Sequence, residues 1–384
     1  MALHFSGSEF ERRMEKTLAA MAERELDALL IFSQESMYWL TGYDSFGFCF
    51  FQSLVLTADG KLSLLTRSPD LRQARHTSNI EDIHIWFDRG EKSPVSQLRD
   101  LVYELDLLGK RIGVEYDTHG LTAFHGRELD HQFHAFAEIE DASRLISRLR
   151  MVKSAAEIVY IRDAARLTEK ALAAGLEEIR PGADEAVILA RMQNAVLAGG
   201  GDYPANSFVI GSAEDALLCR YKTGRRALSE NDQLTLEFAG VYRHYHVAMM
   251  HTVVVGQPTE RHHELYEGVS SALDEVEAAM RPGSTFGDVF NAHATELDAR
   301  GLGGHRLNAC GYSLGARFAP SWMDWPMFYR GNEIEIEPNM CLFAHMVLMD
   351  SETGTAMCLG RTYLTTEGDP EPLTARPDGM IVRT

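Results

Sequence analysis

The chain has 384 residues, with 37 Lys and Arg against 56 Asp and Glu and a formal net charge of −19. That length accommodates two domains of roughly 100–200 residues each, and the acidic balance argues against a nucleic-acid partner, which needs clustered Lys and Arg to neutralise phosphates. The first residues show no basic segment leading into an apolar run, and no stretch stays apolar for the ~20 residues of a spanning helix, so a cytoplasmic protein with no membrane partner is expected. Five cysteines (Cys49, Cys219, Cys310, Cys341 and Cys358) contain no C-x-x-C pair, which disfavours both a disulfide framework and a zinc ribbon.

In chain order, apolar Phe10, Met14, Leu18 and Met21 recur at helical spacing between Ser8 and Arg24, and Ala28–Phe32 reads as a buried strand. Met37–Asp44 reads as a short apolar turn closed by Gly42. The runs Phe50–Thr57 and Leu62–Thr66 flank Asp59-Gly60, a strong hairpin signal. Strand 84–87, helix 95–107, strand 111–115, helix 121–129 and strand 135–139 continue the alternation. This is the pattern of a small α/β domain, taken as residues 1–145.

From Ala142 the character changes to long helical runs, opened by Arg150-Met-Val-Lys153-Ser-Ala-Ala-Glu157-Ile and stopped at Pro181-Gly182. Helices are expected over 185–197, 262–280 and 286–300. The loop Gly199-Gly-Gly-Asp202-Tyr203-Pro204 follows the first of these. Between them, Leu234–Gly256 reads as two strands around a turn at Gly240. Alternation puts Thr235, Glu237 and Ala239 on one face, with His246, Ala248, Met250 and Thr252 sharing a face on the second strand. An acid and a histidine can thus face one cavity, although a core hairpin with a few satisfied polar groups explains the same pattern. Segments around Gly311-Tyr312-Ser313-Leu-Gly315, Glu337-Pro-Asn-Met340 to His345, and Cys358-Leu-Gly360-Arg361 read as strands returning to the sheet that holds Glu237.

The order of these landmarks resembles the creatinase, aminopeptidase P and prolidase family. The shared features are the 150–158 phrase, the glycine-punctuated strand pair, Gly-x-Ser-x-Gly after a helix pair, and the Glu-Pro-Asn-Met strand. The likeness covers essentially the whole chain. Trp39-Leu-Thr-Gly-Tyr-Asp44, Gly200-Gly-Asp-Tyr-Pro-Ala205 and Tyr242-Arg-His-Tyr-His246 are similar to the ectoine hydrolase branch. The resemblance implies an α/β N-terminal domain plus an α+β pita-bread domain, residues 146–384, whose antiparallel sheet is flanked by helices. It also implies a homodimer.

The metallopeptidases of this family hold two divalent ions with two Asp, one His and two Glu. Matched position by position, those ligands fall here at Glu237, Ala248, Tyr312, His345 and near Leu359 or Gly360. One carboxylate and one imidazole do not replace that set. No metal and no other cofactor is therefore expected. Creatinase and ectoine hydrolase keep the fold while cleaving small C–N bonds without the metal pair, though this chain also departs from them at Met250 and Gly360.

The resulting expectation is a metal-independent hydrolase of a small zwitterionic nitrogen compound, acting on an amide-like or amidine-like C–N bond. Glu237 holds the substrate cation or serves as base, unless it is a structural acid paired with Arg220 or Arg243. His345 or His246 shuttles the proton, and Tyr312, in a tight turn, donates to a developing negative charge; packing explains each of these residues equally simply. Arg220, in Cys219-Arg-Tyr-Lys222, suits a substrate carboxylate. Tyr203, Met250, Trp39 and Tyr43 are the other substrate contacts, the last two as an aromatic wall reaching a neighbouring subunit, as the resemblance to a dimeric family implies; core packing is the simpler role for Trp39 by itself. An Xaa-Pro metallopeptidase with misaligned ligands and a non-catalytic solute- or peptide-binding module are the two alternatives.

Overall fold

In the computed structural model, described over residues 3–88, 90, 92–220 and 225–384, the chain divides into two compact units at Arg150 and Met151. Tyr221 and Lys222 of the arginine phrase lie outside the described residues.

The N-terminal unit holds a six-stranded mixed sheet in the order β4-β3-β2-β1-β5-β6. The strands are β1 (Ala28–Ile31), β2 (Ser53–Thr57), β3 (Leu62–Thr66), β4 (Asp82–Ile85), β5 (Arg111–Val114) and β6 (Glu138–Asp141). β2 and β3 form the hairpin expected at Asp59-Gly60, with Gly60 at φ 88°. Two readings are corrected. The segment taken as a turn at Met37 is a helix, Gln34–Thr41, ended by Gly42 in the left-handed conformation at φ 82°, the usual helix stop where a side chain would be strained. A helix over Leu71–Thr77 has no counterpart among the elements expected from sequence.

The C-terminal unit is built on a nine-stranded sheet. Its main path runs β11-β10-β12-β13-β9-β8-β7, where β7 is Val209–Ser212, β8 Asp232–Tyr242, β9 Tyr245–Val255, β10 Gly311–Ser313, β11 Asp324–Met327, β12 Cys341–Asp350 and β13 Thr355–Leu364. Ladders along this path are antiparallel. Helices Ala155–Glu178, Glu260–Ala279 and Phe286–Ala299 begin with reciprocal caps at Ser154/Glu157, Thr259/His262 and Thr285/Asp288, each satisfying two amide groups that a helix start leaves open. Leu342, Ala344, Met346 and Leu348 of β12 pack with Leu265, Val269 and Phe290 of the helices. The alternate residues, Phe343, His345 and Val347, are thereby turned to the other face.

Gly240 is not at the turn. It sits within β8, where an added Cβ would lie 2.2 Å from the carbonyl of Ala164 and 2.4 Å from the amide of Thr168. Its own amide donates to Thr168 Oγ1 at 3.0 Å. The glycine allows a helix to press onto the strand backbone. The turn is at Arg243 and His244, with φ 49° and 67°. Positive values at both central residues match the twist of a two-residue hairpin but strain residues that carry a Cβ. Arg243 lies over the ring of Tyr160, and His244 stacks on Phe318 at 4.1 Å between centroids, contacts that hold the turn.

Candidate active site

One row of directly paired residues crosses the sheet: Val209, Glu237, Met250, Gly360 and His345. Side chains of directly paired residues stand on the same face. Tyr312 pairs with Phe343, two residues before His345, and joins them on that face. The expected sharing of a face by Glu237 and Met250 therefore holds. Tyr312 lies in strand β10 and not in a turn.

Over this row lies a cleft with two lobes that share Cys219, Arg220, Glu237, Tyr312 and Met323. One lobe, about 510 Å³, is walled by Pro204–Ser207 and Pro320–Trp322. The other, about 400 Å³, is walled by Met250, Met327, His345, Val347 and Leu307–Ala309.

Glu237 is half-buried and borders both lobes. Its Oε1 accepts the Tyr312 hydroxyl at 3.2 Å, and the Tyr312 oxygen in turn accepts from Trp322 Nε1 at 2.9 Å. Asn206 Oδ1 takes the Trp322 amide at 2.9 Å, tying the loop before β7 to the same string. Burial pushes the Glu237 carboxyl up to about 7, against the opposing pull of the Tyr312 hydrogen bond and the Arg220 charge. Burial and the neighbouring Glu237 charge push the Tyr312 phenol well above its ordinary range. Tyr312 therefore keeps its proton and directs it at Glu237, which corrects its expected role as a donor to substrate. The suggested pairing of Glu237 with Arg243 does not form; Arg243 bonds the Tyr160 hydroxyl.

His345 lines the second lobe, with Nδ1 enclosed and without a hydrogen-bond partner. Burial lowers its pKa to about 4, so the ring is neutral at pH 7. His246 is corrected as a proton shuttle. Its Nδ1–H meets the His244 carbonyl at 2.7 Å, and its Nε2 accepts the Ala205 amide at 3.0 Å, leaving neither nitrogen for a substrate. Burial also lowers its pKa to about 3, as expected for an imidazole that serves as a neutral strut.

The other expected contacts separate. Arg220, exposed, and Met250, buried, both line the cleft. Tyr203 is 80% exposed and is not among the lining residues, which start at Pro204. Trp39 and Tyr43 are enclosed in the core of the N-terminal unit. The Arg13 guanidinium lies over the Trp39 ring at 5.2 Å, and the Tyr43 hydroxyl donates to Gln52 at 3.2 Å. Their surfaces are used in packing, which corrects the expected aromatic wall. Trp322, Asn206, Ser321 and Cys219 line the cleft without having been singled out for it. Only the aromatic run Trp322-Met-Asp-Trp325 hinted at a lining segment, and no spacing connected it to Glu237.

The residues do not fit a pair of divalent ions. Ala248 is fully buried, and its amide and carbonyl are both engaged by Thr362 Oγ1, at 3.1 and 2.8 Å. At Gly360 an added Cβ would come 2.8 Å from Phe343 Cζ and 3.0 Å from Met250 Cβ. Where two further carboxylates would converge, the space is filled by an aromatic ring and methionine. Among the described residues no three His, Cys, Asp or Glu side chains are grouped to hold an ion.

A creatinase-type N-terminal unit followed by a pita-bread unit with a cleft over its sheet defines the class of protein. The chain belongs to metallopeptidase family M24, whose model matches residues 159–367, with the creatinase/prolidase N-terminal domain matching residues 13–152. It is 27% identical over 409 aligned positions to the ectoine hydrolase of Halomonas elongata, covering 100% of this chain and 99% of that protein. It is 22% identical to the Xaa-Pro dipeptidase of Pyrococcus furiosus, covering 86% of this chain and 89% of that one. A prolidase structure from Thermococcus sibiricus superposes with a TM-score of 0.87 at 18% identity, covering 98% and 100% of the two chains. No described helix is long and apolar enough to cross a membrane.

Proposed function

We propose that the protein is a metal-independent hydrolase that breaks an amide-like or amidine-like C–N bond in a small, carboxylate-bearing nitrogen compound. One observation carries the reading. Glu237, which the family resemblance sets at a ligand position, stands where the two lobes meet, with a pKa raised to about 7. A general base works best when its pKa lies near the working pH. In this reading Glu237 takes a proton from water as the oxygen attacks the carbon of the C–N bond and delivers it to the departing nitrogen. The base role is preferred over a cation anchor because a half-protonated acid beside Arg220 is a weak counter-charge. Arg220 binds the substrate carboxylate, and the neutral ring of His345 lines the second lobe beside the reacting bond. The full coverage of an ectoine hydrolase at 27% identity supports a hydrolase of a small nitrogen compound.

Elemental analysis of protein purified without chelator tests the metal claim; stoichiometric manganese, cobalt, iron or zinc would overturn it. Glu237→Gln tests the base, with a loss of at least about a hundredfold in turnover expected.

A further inference from the structure

The two lobes of the cleft differ in chemistry, and the difference bears on the substrate. Asn206, Ser207 and Ser321 give the first lobe a polar wall. The second shares Cys219, Arg220, Glu237, Tyr312 and Met323 with the first, and its own wall is mainly apolar, with Met250, Met327, Leu307, Ala309 and Val347 against Asn308 and His345. A wholly hydrophilic solute would occupy the first lobe and leave about 400 Å³ of mainly apolar cavity with nothing to contribute. Apolar pockets gain affinity by removing hydrocarbon from water, and methionine side chains adapt to flexible chains better than branched ones.

We infer that the substrate is an N-acyl amino acid whose carboxylate-bearing half lies in the polar lobe near Arg220 and whose acyl chain of several carbons fills the methionine-lined lobe, placing the amide carbon beside Glu237. The inference rests on the hydrolase reading above and narrows its substrate. Past the shared Arg220 and Glu237, the lobe's own methionine, leucine and valine wall would leave an amidine cation desolvated; an acyl chain carries no charge. The step balances as amide hydrolysis. The water oxygen bonds to the acyl carbon, the C–N bond breaks with its electron pair going to nitrogen, and Glu237 passes the water proton to that nitrogen. The products are a carboxylic acid and a free amino acid.

The test is a series of acetyl, butyryl, hexanoyl and octanoyl derivatives of each common amino acid. It is read as kcat/KM with the wild-type protein and as binding to Glu237→Gln by calorimetry. A rise of about fourfold per methylene until the lobe is full is expected, the factor corresponding to about 0.8 kcal/mol for each buried CH2. Val347→Phe should flatten the series, lowering the hexanoyl-to-acetyl ratio. Turnover that is flat or falls with chain length would overturn the acyl-chain inference while leaving a hydrolase. Binding that tightens with chain length without turnover by the wild type would support the lobe assignment and refute the hydrolase. Neither binding nor turnover anywhere in the series would overturn the inference.

Discussion

Glu115 in the N-terminal unit and Glu237 in the C-terminal unit are both carboxylates that burial pushes up to about 7, yet their oxygens meet different surroundings. Glu115 is closed in. One oxygen accepts the Phe32 and Ser33 amides at 3.1 and 2.9 Å, and the other accepts the Ser36 hydroxyl at 2.6 Å, so the carboxylate fastens the start of the helix Gln34–Thr41 to the end of β5. Glu237 has one long hydrogen bond, from Tyr312, and borders a cleft. A raised pKa alone therefore does not mark a catalytic group. What separates the two is unsatisfied acceptor capacity facing a cavity large enough for a ligand.

The sharpest way to break this comparison is to change both acids to their amides. Glu237→Gln should lower hydrolysis by at least about a hundredfold while the thermal midpoint stays close to that of the wild type. Glu115→Gln should leave kcat and KM unchanged. Steady-state kinetics and calorimetric melts on both variants check this, and equal losses of activity would remove the distinction.

The pH dependence of stability comes next, and it is a property the two acids share, most cleanly read at Glu115, which takes no part in the cleft. With a folded pKa near 7 against an ordinary value of 4.5, Glu115 is more readily protonated in the folded chain. The folded state then binds the extra proton, so stability falls as pH rises from about 4.5 to 7 by at most about 3 kcal/mol. Glu115→Gln cannot ionise and should lose that slope, which denaturant titrations at pH 4.5 and 7.5 would detect. An unchanged slope would mean that Glu115 does not titrate in this window.

Tyr312→Phe tunes the other acid. The Tyr312 hydrogen bond lowers the Glu237 pKa against burial, so removing it should raise that pKa and move the acid limb of kcat/KM, expected near pH 7 in the wild type, to higher pH. Trp322 Nε1 loses its acceptor as well, at a cost of about 1–3 kcal/mol. A pH–rate profile with an unmoved limb would show that the limb belongs to another group.

The smallest effect is expected away from both acids. Gly360→Ala forces Phe343 and Met250 to yield at a contact of about 2.8 Å and should cost about 1–3 kcal/mol, the range for overpacking. A variant at least as stable as the wild type, read by thermal denaturation, would show that the filled ligand position is looser than its packing implies.

Much of this was legible along the chain, because the signals were local. The Asp59-Gly60 hairpin and the helix opened by the 150–158 phrase depend on residues close together in sequence. So does the period-two alternation that put Glu237 on one face and Met250 on the face of the next strand. The order of motifs carried the fold. The failures share one cause. Gly240 looked like a turn because its reason, a helix backbone at van der Waals distance, lies more than seventy residues away. His246 looked catalytic because the Ala205 amide and the His244 carbonyl that saturate it are not visible in its periodicity. The aromatic wall of Trp39 and Tyr43 gives way to the core packing already expected of Trp39, because Arg13 and Gln52, distant or unmarked in the pattern, lie against them.

The sequence by itself thus determined the class of fold and which residues stand at Glu237, Ala248, Tyr312, His345 and Gly360, since these are matters of residue identity and short-range pattern. Only the tertiary structure decided that Glu237 shares a string with Tyr312 and Trp322, that Phe343 fills the space at Gly360, and that polar and apolar lobes meet at one carboxylate. Those facts depend on which distant strands pair in which register, a long-range choice set by burial of the whole sheet face rather than by any one segment.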